Sequence, residues 1–245
     1  MIGGPAAADA IKRARTLPRL RVGLHIVLVD GDPLTPRTQI PDLVDASGRL
    51  RNDLVGYSAR SAMSPSMRRQ MRAEIAAQFE AFRATGLTLD HVNTHRHFHL
   101  NPIVAASIVS LGRPYGMRAL RVPLEPWRIV ADIDPRTQRL AGRVVAPWAA
   151  WMRHQIRRAG LTTADAVFGL AWSGAMTKSR LLGLLGRLPA GFIEIYSHPA
   201  VTDTFAAAVP GYRYADEFAA LCDDDCIAAV RRLGYAIGGY ADART

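Results

Sequence analysis

The chain of 245 residues is short of several things, and each shortage excludes something. Its two cysteines, Cys222 and Cys226, are spaced C-x3-C, which is neither a dithiol redox spacing nor half of a four-ligand zinc site, so free thiols are expected. It has no run of about 18 apolar residues, so no transmembrane helix is predicted. Met1-Ile2-Gly3-Gly4-Pro5 has neither the charged start nor the apolar stretch of a secretory signal, which makes a cytoplasmic location the default expectation. Lys12 and Lys178 are its only lysines, so the formal charge of +10, from 31 basic against 21 acidic residues, is almost wholly arginine. These arginines are scattered rather than gathered into a stripe, and no recognised motif accompanies them. No nucleic-acid partner is therefore expected. Length and a 49% hydrophobic content suffice for a substantial core, predicted as one domain over residues 1–245.

What the chain has in one place is histidine. Four of its seven histidines fall in His91-Val92-Asn93-Thr94-His95-Arg96-His97-Phe98-His99, all at odd positions. Residues two apart in an extended strand share a face, so His91, Asn93, His95 and His97 are predicted to line one surface, with Val92, Thr94 and Phe98 on the other. Imidazole is the commonest metal ligand and the side chain most easily tuned for proton transfer near neutral pH. The row reads first as a metal or acid–base site, against the plainer possibility of a polar strand end whose histidines are merely hydrogen-bonded. Asn101-Pro102 then reads as the cap and first residue of a helix over Ile103–Leu111. The histidines thus stand at the carboxyl end of a strand, where α/β sheets and β/α barrels build their sites.

Elsewhere strand and helix patterns alternate, which predicts a parallel α/β fold. Ala6–Arg15 reads as a short helix. Leu20–Leu28 reads as a strand buried on both faces, whose one polar interior residue, His25, is a hydrogen-bonded core histidine taken alone and a ligand once the histidine row is in view. Asp30–Ser66, with Pro33, Pro36, Pro41 and Pro65, reads as a long loop. Ser66–Thr85 is predicted helical, with Met71, Ile75, Phe79 and Phe82 on its buried face. Arg118–Val122 is predicted as a strand, and Arg121 at its end either binds a substrate oxygen or makes a salt bridge. Asp132–Arg158 is predicted helical with a break near Pro147. Its Trp148 and Trp151, beside Arg143, Arg153, Arg157 and Arg158, have the composition of an interfacial membrane helix, although a surface helix with Trp packed inward is favoured. Ala164–Leu170 reads as a strand leading to a loop in which Trp172 suits a pocket wall. A helix over Ser179–Leu188 precedes a strand over Gly191–Pro199 that brings His198 to its carboxyl end. A helix over Asp225–Leu233, capped by the aspartates at 223–225, leads to a last strand, Tyr235–Tyr240.

At Val22-Gly23-Leu24-His25, at Asp90-His91-Val92-Asn93-Thr94-His95-Arg96-His97-Phe98-His99 and at Glu194-Ile195-Tyr196-Ser197-His198-Pro199-Ala200 the sequence resembles the YdjC-like carbohydrate deacetylases, from Met1 almost to its end. The resemblance implies an irregular, TIM-barrel-like parallel β/α barrel that removes acetyl groups from N-acetylated sugars with a divalent metal, zinc or magnesium. By position it implies that His25 and His95 bind the metal and that His198 is the general acid. His91, Asn93, His97, His99, Arg121 and Trp172 are left to substrate contacts or to the support of ligands. Gly3-Gly4-Pro5-Ala6-Ala7-Ala8, Leu120-Arg121-Val122-Pro123-Leu124-Glu125-Pro126 and Phe168-Gly169-Leu170 are most similar to the hopanoid-biosynthesis-associated branch. That implies an N-acetylglucosaminyl hopanoid lipid as substrate and a peripheral contact with the inner membrane. A homodimer is kept as a candidate assembly. The family's Asp-Asp motif near the end of its first strand has no counterpart here, and Asn93 stands where many relatives carry Asp. The chain is accordingly expected to be an N-terminally shortened form, lacking the first strand and helix, with little or no deacetylase activity.

Two functions compete: a metal-dependent N-deacetylase, and a catalytically impaired protein that binds a glycolipid or membrane surface. What discriminates them is whether a carboxylate completes the His25–His95 pair, for which Asp90, Asp30 and Asp32 are the candidates nearby in sequence. The two imidazoles are expected within shared reach of one ion, at ligand distances of about 2.0–2.2 Å for zinc.

Overall fold

A parallel pair of strands carries His25, His91 and Asn93 of the predicted site, in a computed structural model that describes residues 1–137, 140–206 and 208–243, excepting the side chains of 140 and 141. The first half of the chain runs α1 (Ala7–Arg15), β1 (Val22–Ile26), α2 (Leu54–Met63), α3 (Pro65–Ala84), β2 (Leu89–Thr94) and α4 (Pro102–Gly112). The second runs α5 (Trp127–Ile133), α6 (Leu140–Arg158), β3 (Ala166–Phe168), α7 (Lys178–Leu185), β4 (Ile193–Ile195), α8 (Tyr214–Cys222) and α9 (Asp224–Arg232). The fold is mixed α/β with small sheets: β1 pairs with β2 and β3 with β4, both in parallel. Single parallel bridges join Val92 to Leu120 and Ala119 to Thr162. No helix among the described residues is long and apolar enough to cross a membrane.

The chain divides into two compact units. The first comprises Met1–Arg121, Ile156–Thr163 and Gly238–Thr245, the second Val122–Gln155 and Ala164–Ile237, so α6 contributes to both. In the first unit α3 buries Met71, Ile75, Phe79 and Phe82, as their helical spacing predicts, together with Met67, and packs on β1 and α4. The same face also buries polar groups that hold the segment after β1. Gln78 accepts the Val27 N–H at 2.9 Å and donates to the Val27 carbonyl at 2.6 Å, and Glu74 accepts the N–H groups of Leu34 and Thr35 at 3.0 and 2.9 Å. Capping follows local chemistry: the Ser64 hydroxyl accepts from Met67 N–H, and Asn101 accepts from Ile103 and Val104 N–H, each with proline at the following position. In the second unit Phe168, Trp172, Met176, Leu181 and Leu184 form the core with residues of α8 and α9.

Several expectations are corrected. The histidine strand stops at Thr94, because Arg96 and His97 take left-handed φ values of 52° and 54° that no strand accommodates. Inside the predicted loop lies α2, started by Asp53, whose carboxylate accepts the Gly56 N–H at 2.8 Å; a cap of that kind needs no apolar periodicity. Residues 118–122 make isolated bridges in place of a strand. The helix does not break at Pro147: the residue is exposed, so water can satisfy the carbonyl left without a partner. Tyr235–Tyr240 is no strand, for Tyr235 N–H closes α9 on the Val230 carbonyl and Tyr240 N–H is taken by Asp90. Helix α8, which no expectation covered, follows Arg213. The expected free thiols are present, Cys222 exposed and Cys226 buried.

The Gln78 clamp yields the first prediction. Gln78→Ala leaves both backbone groups of Val27 without their protein partner two residues beyond His25, and is expected to lower unfolding free energy by about 2–3 kcal/mol in urea titration. An unchanged midpoint would refute the clamp.

Candidate functional site

Two neighbouring strand ends generate the site of the first unit. The register sets His25 opposite Asn93 and Ile26 opposite Thr94. Beyond Thr94 the chain winds into a 3-10 turn, His95–Leu100, drawn back by the Thr94 hydroxyl, which accepts the His99 N–H at 3.0 Å and meets His99 Nδ1 at 2.7 Å. The turn brings His95 against His25, with ring centroids 5.7 Å apart and planes at 74°. The predicted one-sided row therefore becomes two groups. His91 and Asn93 remain on the strand, whereas His95, His97 and His99 sit on the turn, with His99 fully buried.

The groups around the pair are firmly placed. The Asn93 amide lies between His25 Nδ1, at 2.5 Å, and the Arg121 guanidinium, whose Nη1 and Nη2 stand 3.1 and 3.2 Å from its other end. His91 Nδ1 bonds Asp90 at 2.9 Å, and its ring stacks on Tyr240 at 4.6 Å. The same ring lies over Gly23, where a Cβ would come within 2.5 Å of it. Asp90 also accepts the N–H groups of Tyr240 and Ala241 at 3.1 and 3.0 Å. Burial alone would raise its pKa, but these three hydrogen bonds hold it below the ordinary carboxylate range. Burial pulls the His25 pKa down to about 3, with His95 and Arg121 adding to the effect. Burial does the same to His99, also to about 3. Both rings are therefore neutral near pH 7.

The implied divalent metal can be tested against this donor set. A catalytic zinc site takes three protein donors and a water. His25 and His95 are close enough to share an ion, but each nearby carboxylate is engaged elsewhere. Asp30 pairs with Arg96 at 3.1 Å, Asp32 with Arg49 at 2.9 Å, and Asp90 holds the groups just described. Among the described residues no three His, Cys, Asp or Glu side chains gather as a ligand set. The residues present do not make up the metal site.

In the second unit His198 follows β4. Its N–H and that of Met176 are both accepted by Glu217 of α8, which is 1% exposed. The His198 ring lies 5.3 Å from that of Tyr196 and 5.2 Å from that of Tyr212, whose hydroxyl meets Ser173 Oγ at 2.8 Å. Glu125 gathers the N–H groups of Gly169, Leu170 and Ala171 at 2.8–3.0 Å. Trp172 packs in the core, its indole N–H on Thr137. Sequence reasoning missed Glu125 and Glu217, whose partners lie 19 to 46 residues away, and no local pattern announces either. The expectation that Trp packs inward is corrected: Trp148 and Trp151 stack at 4.7 Å and are 38% and 50% exposed, and Arg143 lies 4.5 Å over the exposed Trp127 ring.

The family model described as YdjC-like protein matches residues 1–232. A carbohydrate deacetylase of Geobacillus stearothermophilus is 27% identical over 245 residues, covering 99% of this chain and 84% of that protein. One of Mus musculus is 30% identical over 220 residues, covering 81% of this chain and 67% of that protein. A crystal structure of a candidate cellobiose-phosphate cleavage protein from Enterococcus faecalis superposes with a TM-score of 0.74 at 20% identity, covering 100% of this chain and 86% of that one, a likeness of fold.

Neutral, buried His25 and His99 predict an acid-side loss of stability. Their folded pKa values lie below the unfolded value of about 6.5, so the unfolded chain binds more protons as pH falls, and stability present above that value is lost below it. Between about pH 6.5 and pH 5, above the main carboxylate range, unfolding free energy is expected to fall by roughly 1 kcal/mol per unit for each ring. His99→Gln should halve the slope. A flat profile over that window would contradict the neutral assignment.

Proposed function

The chain belongs to the YdjC-like family, and from that premise we propose that it is a carbohydrate deacetylase, a hydrolase that removes an acetyl group from an N-acetylated amino sugar. The observation that carries the reading is the meeting of His25 and His95, distant in sequence, at two adjacent strand ends within the matched region. The barrel implied by the resemblance belongs with this reading, supported by the parallel sense of both strand pairs.

Amide hydrolysis has two obstacles, a weak nucleophile in water and a poor leaving group in the amine. A group that gives the amine a proton as it departs addresses the second, and His198 is assigned that role. Its main chain is anchored by Glu217, which fixes the ring's starting point. His25 is neutral near pH 7, so it can make a hydrogen bond without carrying charge, and His95 stands beside it. Among the described residues no third donor joins these two imidazoles to complete a metal site.

A lipid-linked sugar, the N-acetylglucosaminyl hopanoid of the resemblance, is favoured over a free one by a single feature. Trp127, Trp148 and Trp151 expose indole rings on α5 and α6, with Arg128 and Arg143 against Trp127. Exposed indoles beside cations suit the headgroup level of an anionic bilayer. The same feature supports the second reading, a protein of this fold that holds a glycolipid without hydrolysing it.

Acetate release from N-acetylglucosaminyl glycolipid and from chitobiose, with and without added zinc or magnesium, is the deciding assay. Release is expected, in contrast to the low activity anticipated from the missing Asp-Asp motif, and His198→Ala should reduce it about a hundredfold or more. Glycolipid binding without release under any of these conditions would put the second reading in its place. In sedimentation with anionic vesicles the protein should pellet and a Trp148→Ala, Trp151→Ala variant should remain in solution; equal sedimentation would remove the membrane-facing role.

A further inference from the structure

The Asn93 amide has two ends, and its neighbours decide which end is oxygen. A guanidinium has five N–H donors and no acceptor. Arg121 places Nη1 and Nη2 at 3.1 and 3.2 Å from one end, so that end is Oδ1. His91 Nε2 stands 3.5 Å from the same atom, at the limit of hydrogen-bond reach, and does not outweigh two charged N–H donors. The opposite end, facing His25 Nδ1, is then the NH2 group. An NH2 group donates, so Nδ1 must offer its lone pair, and the proton of a neutral imidazole resides on Nε2.

We propose that Arg121, acting through Asn93, locks His25 in the Nε2–H tautomer, so that His25 serves as a hydrogen-bond donor and can take a divalent ion on Nε2 only if the Asn93 amide turns over. Turning over places NH2 against the guanidinium, donor against donor. Asn93 and Arg121 are thus positioning residues that set the proton on His25 and oppose metal occupancy. This accounts for a pair of imidazoles at 5.7 Å that gathers no third ligand among the described residues. Nothing in the inference depends on the deacetylase reading. A carboxylate at position 93 would behave differently, because it accepts from Arg121 and from a His25 Nδ1–H at once.

Long-range proton–nitrogen NMR of the histidine-labelled protein reads the tautomer directly, with the His25 signals identified by their loss in His25→Gln. The wild-type protein is expected to show Nε2–H. Asn93→Asp, which keeps the shape of the side chain, should show Nδ1–H and bind cobalt, titrated alone by calorimetry, about tenfold tighter or more, the usual weight of a group that orients a ligand histidine. Arg121→Gln, which removes the charged fork, should move the tautomer toward Nδ1–H. A wild-type Nδ1–H signal would overturn the proposal, even if neither variant folds. An Asn93→Asp protein that folds and keeps the Nε2–H tautomer would do so equally.

Discussion

The pairing of β1 with β2 is the constraint on which the first unit's site depends. Parallel register places His25 beside Asn93, and strand geometry allows no small adjustment: a slip of one residue would turn every side chain of one strand to the opposite face. The register shifts once, between Val22 and Leu24, at a glycine over which the His91 ring lies. A side chain at Gly23 would collide with that ring, so the absence of one lets His91 stay within reach of Asp90. From there the order continues outward, through Asp90 to the backbone of Tyr240 and Ala241 and through Asn93 to Arg121.

Buried carboxylates and amides do for the irregular segments what ladders do for sheets. Glu74 holds Leu34 and Thr35, Glu125 holds three consecutive N–H groups from Gly169, and Glu217 joins the segments of Met176 and His198. An ionised carboxylate only accepts, and it can satisfy several backbone donors at once, which is why long stretches with little secondary structure can still be fixed. The strands themselves are short, and β3 and β4 have three residues each, so much of the order comes from these contacts.

What could be read from the sequence follows from the range of the forces involved. The buried face of α3, the caps at Asn101 and Asp223 and the ends of α1, α3, α4 and α9 are local, and their residues announce them. The closeness of His25 and His95 was also legible, because each stands at the carboxyl end of an apolar strand. The shape of the histidine row was not. Alternation at odd positions describes a strand perfectly well, and only the contact of Thr94 with His99, five residues on, ends it. The exposed indoles defeated the general preference of Trp for the interior, since periodicity in a helix that carries cations on several sides does not identify which face is outward.

Arg96 and His97 both have φ above 50°, and neither is glycine. For a residue with a Cβ the left-handed region costs on the order of 1 kcal/mol, so the turn is held against its own backbone preference by the groups that close it. The pair therefore acts as a filter on sequence drift. Glycine or asparagine can enter either position and relieve the backbone, whereas valine, isoleucine and threonine meet a steric wall and proline cannot adopt the angle at all. A lineage that keeps the Thr94–His99 closure is free to vary the chemistry at 96 and 97 within that narrow alphabet, and one that loses the closure has no reason to keep the alphabet.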